Sequence, residues 1–154
     1  MLLIDLELNV LISEFNYFDT DFFKEVISER GVSHPVLPYR ISACEGGAVI
    51  TNASSDGLIM YLGWNGVSLS LLWARKAASA IYAENTAGDL IYGIEARKPR
   101  AWDKFTGVEV WQASVGTTGN TINIGGSWVV YSQMSGDIQC FAWKKPYLSP
   151  HRPS

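Results

Sequence analysis

A period of about 40 residues constrains this chain more than any other feature. Tyr61, Trp102 and Trp143 stand 41 residues apart, and the turn pairs Asn65-Gly66 and Thr106-Gly107 share that spacing. A short β-rich run precedes each site: AVIT (48–51), DLIY (89–92) and WVVY (128–131). The clearest copy is RAWDKFTGVEVWQ (100–112), where apolar and polar residues alternate on both sides of Thr106-Gly107. Alternation of this kind is strand periodicity. Glycine after a small polar residue supplies the positive φ of a tight reversal. Ser55-Asp56-Gly57 and Ser135-Gly136-Asp137 give two copies a second polar turn, which the middle copy replaces with Ala96-Arg97-Lys98-Pro99. Short strands repeated at this period predict blades. The expected fold is mainly β, with three blade-like antiparallel repeats forming a partial propeller behind one N-terminal helix.

The segments GGAVITNASSDGLIMYLGWNGVSLSLLW, GDLIYGIEARKPRAWDKFTGVEVW and SWVVYSQMSGDIQCFAW resemble the repeat of pyrroloquinoline-quinone-type β-propellers. That repeat runs from a small-apolar strand through a polar-Gly turn to a strand with an aspartate. A Thr-Gly turn and a strand ending in Trp complete it. AWDKFTGVEVW is the closest match, and the resemblance covers about residues 46–143. The third copy breaks off at Trp143, before any Thr-Gly turn. The quinone and metal site of that family lies on the axis of a full propeller, and no matching residues here offer its acidic and basic cluster. The resemblance therefore implies strand architecture and no cofactor.

The residues before the repeats behave differently. Phe18, Phe22, Val26 and Arg30 fall at helical steps, Asp19 or Thr20 can cap the first amides, and Gly31 suits a stop. A helix is predicted over 20–30. LIDLEL (3–8) alternates as a strand and is expected to supply the outer strand that the third repeat lacks. His34-Pro35 to Pro38 reads as a connector. The chain is thus one domain: a strand–helix leader (1–45), three repeats (46–143) and a Pro-rich tail (144–154). An unclosed stack leaves two blade faces bare. Either the leader helix with Phe18, Phe22 and Phe23 covers one of them or a second copy does, the helix being the expected cover.

Charge narrows the partners. The net charge of −3 argues against nucleic acid, which needs clustered Lys and Arg. Residues 1–31 hold seven acids against Lys24 and Arg30, so the leader is acidic beside a mildly basic body. The apolar start carries Asp5 and Glu7 without a basic region or cleavage site, and no apolar run is long enough to span a bilayer. Cys44 and Cys140 need no disulfide framework. A cytoplasmic protein with reduced thiols is the expectation.

Chemistry-bearing patterns are sparse. His34 and His151 are isolated, and no metal site is expected. Ser127 in IGGSWV lacks a nucleophile elbow, and GTTGNTINIGG (116–126) has no following Lys or helix to hold phosphate. Asp56, Asp103 and Asp137 fall where turns use a carboxylate locally. Trp73, Trp102, Trp111, Trp128 and Trp143 belong to strands and are expected between blades, whereas Trp64 beside its turn is the candidate for exposure. No catalytic residue emerges. The leading expectation is a non-enzymatic protein-binding module, an inhibitor or immunity-type protein masking a basic toxin or nuclease. Its partner-binding residues are Asp19, Asp21, Glu25, Glu29 and the anchor Trp64. A carbohydrate-binding, lectin-like module is the alternative, and an enzyme whose site forms on assembly is the third reading.

Overall fold

A computed structural model of the chain describes residues 2–5, 10–16, 19–30, 40–52, 57–77, 81–114, 119–125 and 128–142. The leader opens with β1 (Leu2–Asp5) and β2 (Val10–Glu14), followed by α1 (Asp21–Arg30). Thr20 caps the helix: its hydroxyl oxygen accepts the Phe23 amide at 3.2 Å, and its carbonyl accepts the Lys24 amide at 3.1 Å. β1 pairs antiparallel with β2 in a sheet of their own. The leader strand therefore does not complete the third repeat. A partner a few residues away in the chain closes at far lower loop entropy than one beyond residue 120.

Three antiparallel sheets follow. The first blade is β3 (Arg40–Cys44), β4 (Gly47–Asn52), β5 (Leu58–Trp64) and β6 (Leu69–Lys76), paired in chain order. It starts earlier than the repeat at residue 46, because the last residues of the leader supply β3. The second blade is β7 (Ile81–Ala87), β8 (Leu90–Glu95), β9 (Lys98–Asp103) and β10 (Glu109–Gln112). The third is β11 (Gly119–Gly125), β12 (Trp128–Gln133) and β13 (Ile138–Ala142), a sheet of three strands among the described residues. This is a partial propeller, mainly β with one short helix. The tail from Trp143 onward, Asp56, Ser127 and both histidines lie outside the described residues.

The blades stack face to face in three apolar layers. Successive strand residues point to opposite faces, and β5 is buried from Leu58 to Gly63 because both its faces are covered. Leu58, Met60 and Leu62 meet α1 through Phe23, which is 2% exposed, with Phe15 and Phe22 packed alongside. Burying a phenylalanine this way stabilises by about 2–3 kcal/mol. The helix thus covers the outer face of the first blade through Phe22 and Phe23, while Phe18 lies outside the described residues. Ile59 and Tyr61 point the other way, onto Ile81, Ile91 and Trp102 of the second blade. Leu90, Tyr92 and Ile94 then meet Ile122, Val129 and Tyr131 of the third. Trp111 and Phe141 close that second seam edge to face, with ring centroids 5.7 Å apart. The Asn85 side-chain amide on β7 also donates to the Ile122 carbonyl on β11, tying the two blades' first strands.

The middle copy's substitute turn has a physical signature. Ala96 (φ 50°) and Arg97 (φ 67°) both take left-handed backbone without being glycine. A two-residue hairpin of this shape prefers Asn-Gly. Tyr131 of the next blade donates its hydroxyl to the Arg97 carbonyl at 2.8 Å and holds the turn in place.

Candidate functional site

Three places gather polar or reactive side chains, and each is built by a different part of the repeat. At one end of the seam between the first two blades sits the β9–β10 turn, the segment of strongest sequence signal. Asp103 organises it: one carboxylate oxygen accepts the Phe105 amide at 3.0 Å, the Thr106 amide at 2.8 Å and the Thr106 hydroxyl at 2.8 Å. This is the local hydrogen-bonding role its sequence position implies. Gly107 (φ +70°) follows, and a Cβ there would stand 2.7 Å from the Trp73 ring. The Trp73 indole N–H donates to the Lys104 carbonyl at 2.7 Å. Lys104 is buried, and its ammonium donates to the carbonyls of Gly88 at 3.1 Å and Glu45 at 3.3 Å, one on each blade. The hairpin is therefore a clamp that grips the preceding blade.

Beside the clamp lies Cys44, a half-buried free thiol. Burial pushes its pKa up, opposed by the positive charge of Lys104 and by hydrogen bonds with Thr86 and Tyr61. Burial, with Cys44 and Asp89 adding to it, likewise holds the Tyr61 hydroxyl up to about 12. A protonated thiol is a poor nucleophile, and the neighbouring ammonium is spent on carbonyls. The cluster holds the two blades together at this end of the seam.

At the opposite end of the same seam, Glu95 is buried and receives Arg75 at 2.9 Å and Arg100 at 3.7 Å. Arg100 also pairs with Glu109, and the Arg75 guanidinium stacks 5.2 Å from the centroid of Trp102. Two cations and two carboxylates balance, so the buried charge is compensated. No group of three His, Cys, Asp or Glu side chains fit to hold a metal occurs among the described residues.

The third place is the leader helix. Asp19, Asp21 and Glu25 are exposed, and Phe22 and Phe23 turn inward. Asp19 accepts the Asn16 side-chain amide at 2.8 Å, and Lys24 stands 3.7 Å from Asp21 in an open surface pair. Such a pair contributes little. Glu29 falls in the last turn, with its side chain outside the described residues. Trp64 is not the exposed ring its turn suggested. It ends β5 on the same face as Leu62 and is half-buried in the layer that holds Phe22 and Phe23. Phe22, Phe23 and Trp64 thus share one apolar layer on the first blade, and Asp19, Asp21 and Glu25 stand exposed on or beside the helix that enters it.

Among the described residues the tryptophan with the widest exposure is instead Trp128, at 53%, against 0% for Trp102. It begins the forward face of the last blade, where no further sheet covers it among the described residues. Sequence position alone did not separate it from Trp102, because both occupy strands of the same repeat. The break in the third copy after Trp143 was the available signal.

No family model matches this sequence, and no curated sequence matches it. Among solved structures it is similar to Kluyveromyces lactis Hsv2, at TM-score 0.48 and 13% identity over 74% of this chain and 35% of that one. The same Hsv2 with loop 6CD replaced by a Gly-Ser linker gives TM-score 0.47 and 12% identity over 71% and 36%. The computationally designed Ika4 protein gives TM-score 0.46 and 10% identity, covering 73% of this chain and 94% of that one. The chain spans about a third of the Hsv2 length. The fold assignment rests on the sheets themselves, and the resemblance to quinone-type repeats extends to blade-like strand architecture alone. No helix among the described residues is long and apolar enough to cross a membrane.

Proposed function

We propose that this chain is a non-enzymatic protein-binding module that masks a basic partner, in the manner of an inhibitor or immunity protein. The observation that carries the reading is the two-sidedness of α1: Phe22 and Phe23 fix it to the first blade, in the apolar layer that also takes Trp64, while Asp19, Asp21 and Glu25 face solvent. A rigidly seated acidic helix offers charge for steering and a flanking aromatic edge for residence. The polar clusters elsewhere hold the blades together, which supports a binding role. The carbohydrate-binding alternative draws less support, since a half-buried Trp64 presents only part of its ring as a stacking platform.

The test compares two baits, the wild-type chain and the Asp21→Lys/Glu25→Lys variant, with helix content checked by circular dichroism. Basic proteins held by the first, released by added salt and lost from the second are the expected result. For such a partner, association at low salt is expected to slow about tenfold in the variant. Equal capture by both baits overturns the proposal, as does retention of glycans in place of protein.

A further inference from the structure

The end of the first seam that holds Glu95 carries more positive charge than its carboxylates balance. Arg40 pairs with Thr51, Thr51 with Ile59 and Ile59 with Arg75, so the four stand in one row across the first blade. Ile59 packs toward the second blade. Residues directly paired across strands share a face, so Arg40, Thr51 and Arg75 are directed to that seam as well. On the second blade Lys98 pairs with Glu95, and Arg100 follows two residues later on the same face of β9. Four cations thus meet the carboxylates of Glu95 and Glu109, a net of +2 among the described residues.

The same end holds buried polar atoms that bond to nothing. Thr51 Oγ1, Arg75 Nε, Arg100 Nε and Trp102 Nε1 have no hydrogen-bond partner among the described residues. Thr51 is 1% exposed and Trp102 0%. Each guanidinium reaches its carboxylates through one terminal nitrogen: Arg75 uses Nη2 on Glu95, and Arg100 uses Nη1 on Glu95 and Glu109. Both leave Nε unspent. Arginine holds an oxyanion best through two parallel N–H bonds, and neither side chain makes such a fork here. Buried donors without acceptors are costly. Three N–H groups and a hydroxyl gathered at one end of one seam therefore point to an absent acceptor.

We infer that this end of the first seam binds a phosphate dianion, inorganic or as a monoester. Two negative charges match the net charge of the cluster, and the phosphate oxygens supply acceptors for both Nε groups, the indole and the hydroxyl. Glu109 is the group that gives way. It is 33% exposed, pairs in register with Trp102 and holds Arg100. A phosphate that displaces its carboxylate takes over Arg100 through Nε and Nη1 and reaches the Trp102 row. Glu95 is buried and stays with Arg75. The site faces away from α1, across the first blade, and so stands apart from the acidic helix.

The probe is inorganic phosphate at about pH 8, titrated into the full chain to about 20 mM with sodium chloride holding the ionic strength constant. Indole N–H resonances are followed by NMR, and that of Trp102 is identified by its loss in Trp102→Phe. A saturable shift of that resonance is expected, with a dissociation constant on the order of 1 mM. Glu109→Gln removes the competing carboxylate and should tighten binding about tenfold. Thr51→Val should weaken binding severalfold without lowering the thermal midpoint of the free chain, because its hydroxyl bonds nothing there. Lys98→Gln, at an exposed position, should weaken it as well. Retention on phosphatidic acid vesicles, reversed by free phosphate, assigns the dianion to a lipid headgroup; a response to free phosphate without retention assigns it to a soluble phosphate. No shift at the highest phosphate concentration overturns the proposal, as does an equal unsaturable drift of every indole resonance. A folded Glu109→Gln that binds phosphate no more tightly than wild type overturns it too.

Discussion

Gly107→Ala should destabilise the chain by more than its backbone geometry alone demands. Placing alanine at φ +70° costs about 1 kcal/mol. The new Cβ would also stand 2.7 Å from two atoms of the Trp73 indole, a distance that forces the ring to move. Trp73 has little room to yield without losing the bond from its N–H to the Lys104 carbonyl at 2.7 Å. Losing one such partly buried bond costs roughly 1–2 kcal/mol. The sum is about 2–3 kcal/mol. Gly88→Ala is the control, since Gly88 has φ +57° and nothing within 4 Å of its Cβ position. It carries the backbone term without the clash. In urea melts followed by circular dichroism, Gly107→Ala should lower the midpoint by about 1 M or more, with the slope unchanged. Gly88→Ala should lower it by about half as much. Combining Gly107→Ala with Trp73→Phe should cost less than the two changes summed, because both break the same bond. Equal losses for the two alanine variants would refute the clamp.

Further outcomes follow from the same contacts. Ala96→Asn with Arg97→Gly gives the turn the residues its left-handed backbone prefers and should stabilise by about 1–2 kcal/mol, read as a higher urea midpoint. Glu95→Gln leaves Arg75 with a neutral partner and Arg100 with Glu109 as its carboxylate; it should cost about 2 kcal/mol rather than the ~3–5 of a fully buried pair, because Arg75 and Arg100 keep 31% and 20% of their side-chain surface. Thr20→Ala removes the cap of α1 and should cost about 1 kcal/mol, seen as faster amide exchange confined to the helix. Burial raises Tyr61 and Tyr92 from 10.0 to about 12, so the folded state binds their protons more tightly than the unfolded chain does. That stability is whole below pH 10.0 and is lost as pH rises toward about 12. Urea midpoints should fall across that window, and less steeply in Tyr92→Phe.

The parts of the fold legible in the sequence are those fixed by local chemistry and by spacing. Thr106-Gly107 marked a reversal because backbone geometry demands glycine there, and the 41-residue interval marked copies because each blade must meet the next in the same way. The helix was legible from its cap and its apolar steps. Pairings chosen by competition were not. The strand in residues 2–5 alternates as a blade strand does, yet it pairs with its neighbour in the chain. Trp64 and Trp128 both stand in strands, and only the cover over each face separates them: α1 lies on one, and no sheet is described over the other. The candidate site divides along the same line. The exposure of Asp19, Asp21 and Glu25 was legible because an amphipathic helix tells which side is wet, whereas the burial of Trp64 depended on where that helix docks.

The hairpin that announces the repeat also shows why a short stack of such sheets holds together. A blade alone buries one face at most, so its stability is borrowed from its neighbours. Apolar contact between sheets is tolerant of sliding, because any apolar side chain fills space against another. The seam between the first two blades is pinned at both ends by interactions that tolerate no slide. Trp73 must find the Lys104 carbonyl over a glycine at one end, and Glu95 must find Arg75 of the preceding blade at the other. Among the described residues the second seam is held by the hydrogen bond from Tyr131 to the Arg97 carbonyl and by one from the Asn85 side-chain amide. Loosening on heating should therefore begin in the third blade, and amide exchange should reach β12 and β13 before β4 and β5. Protection of β12 and β13 equal to that of the first blade at low concentration would show that apolar burial alone fixes the stack.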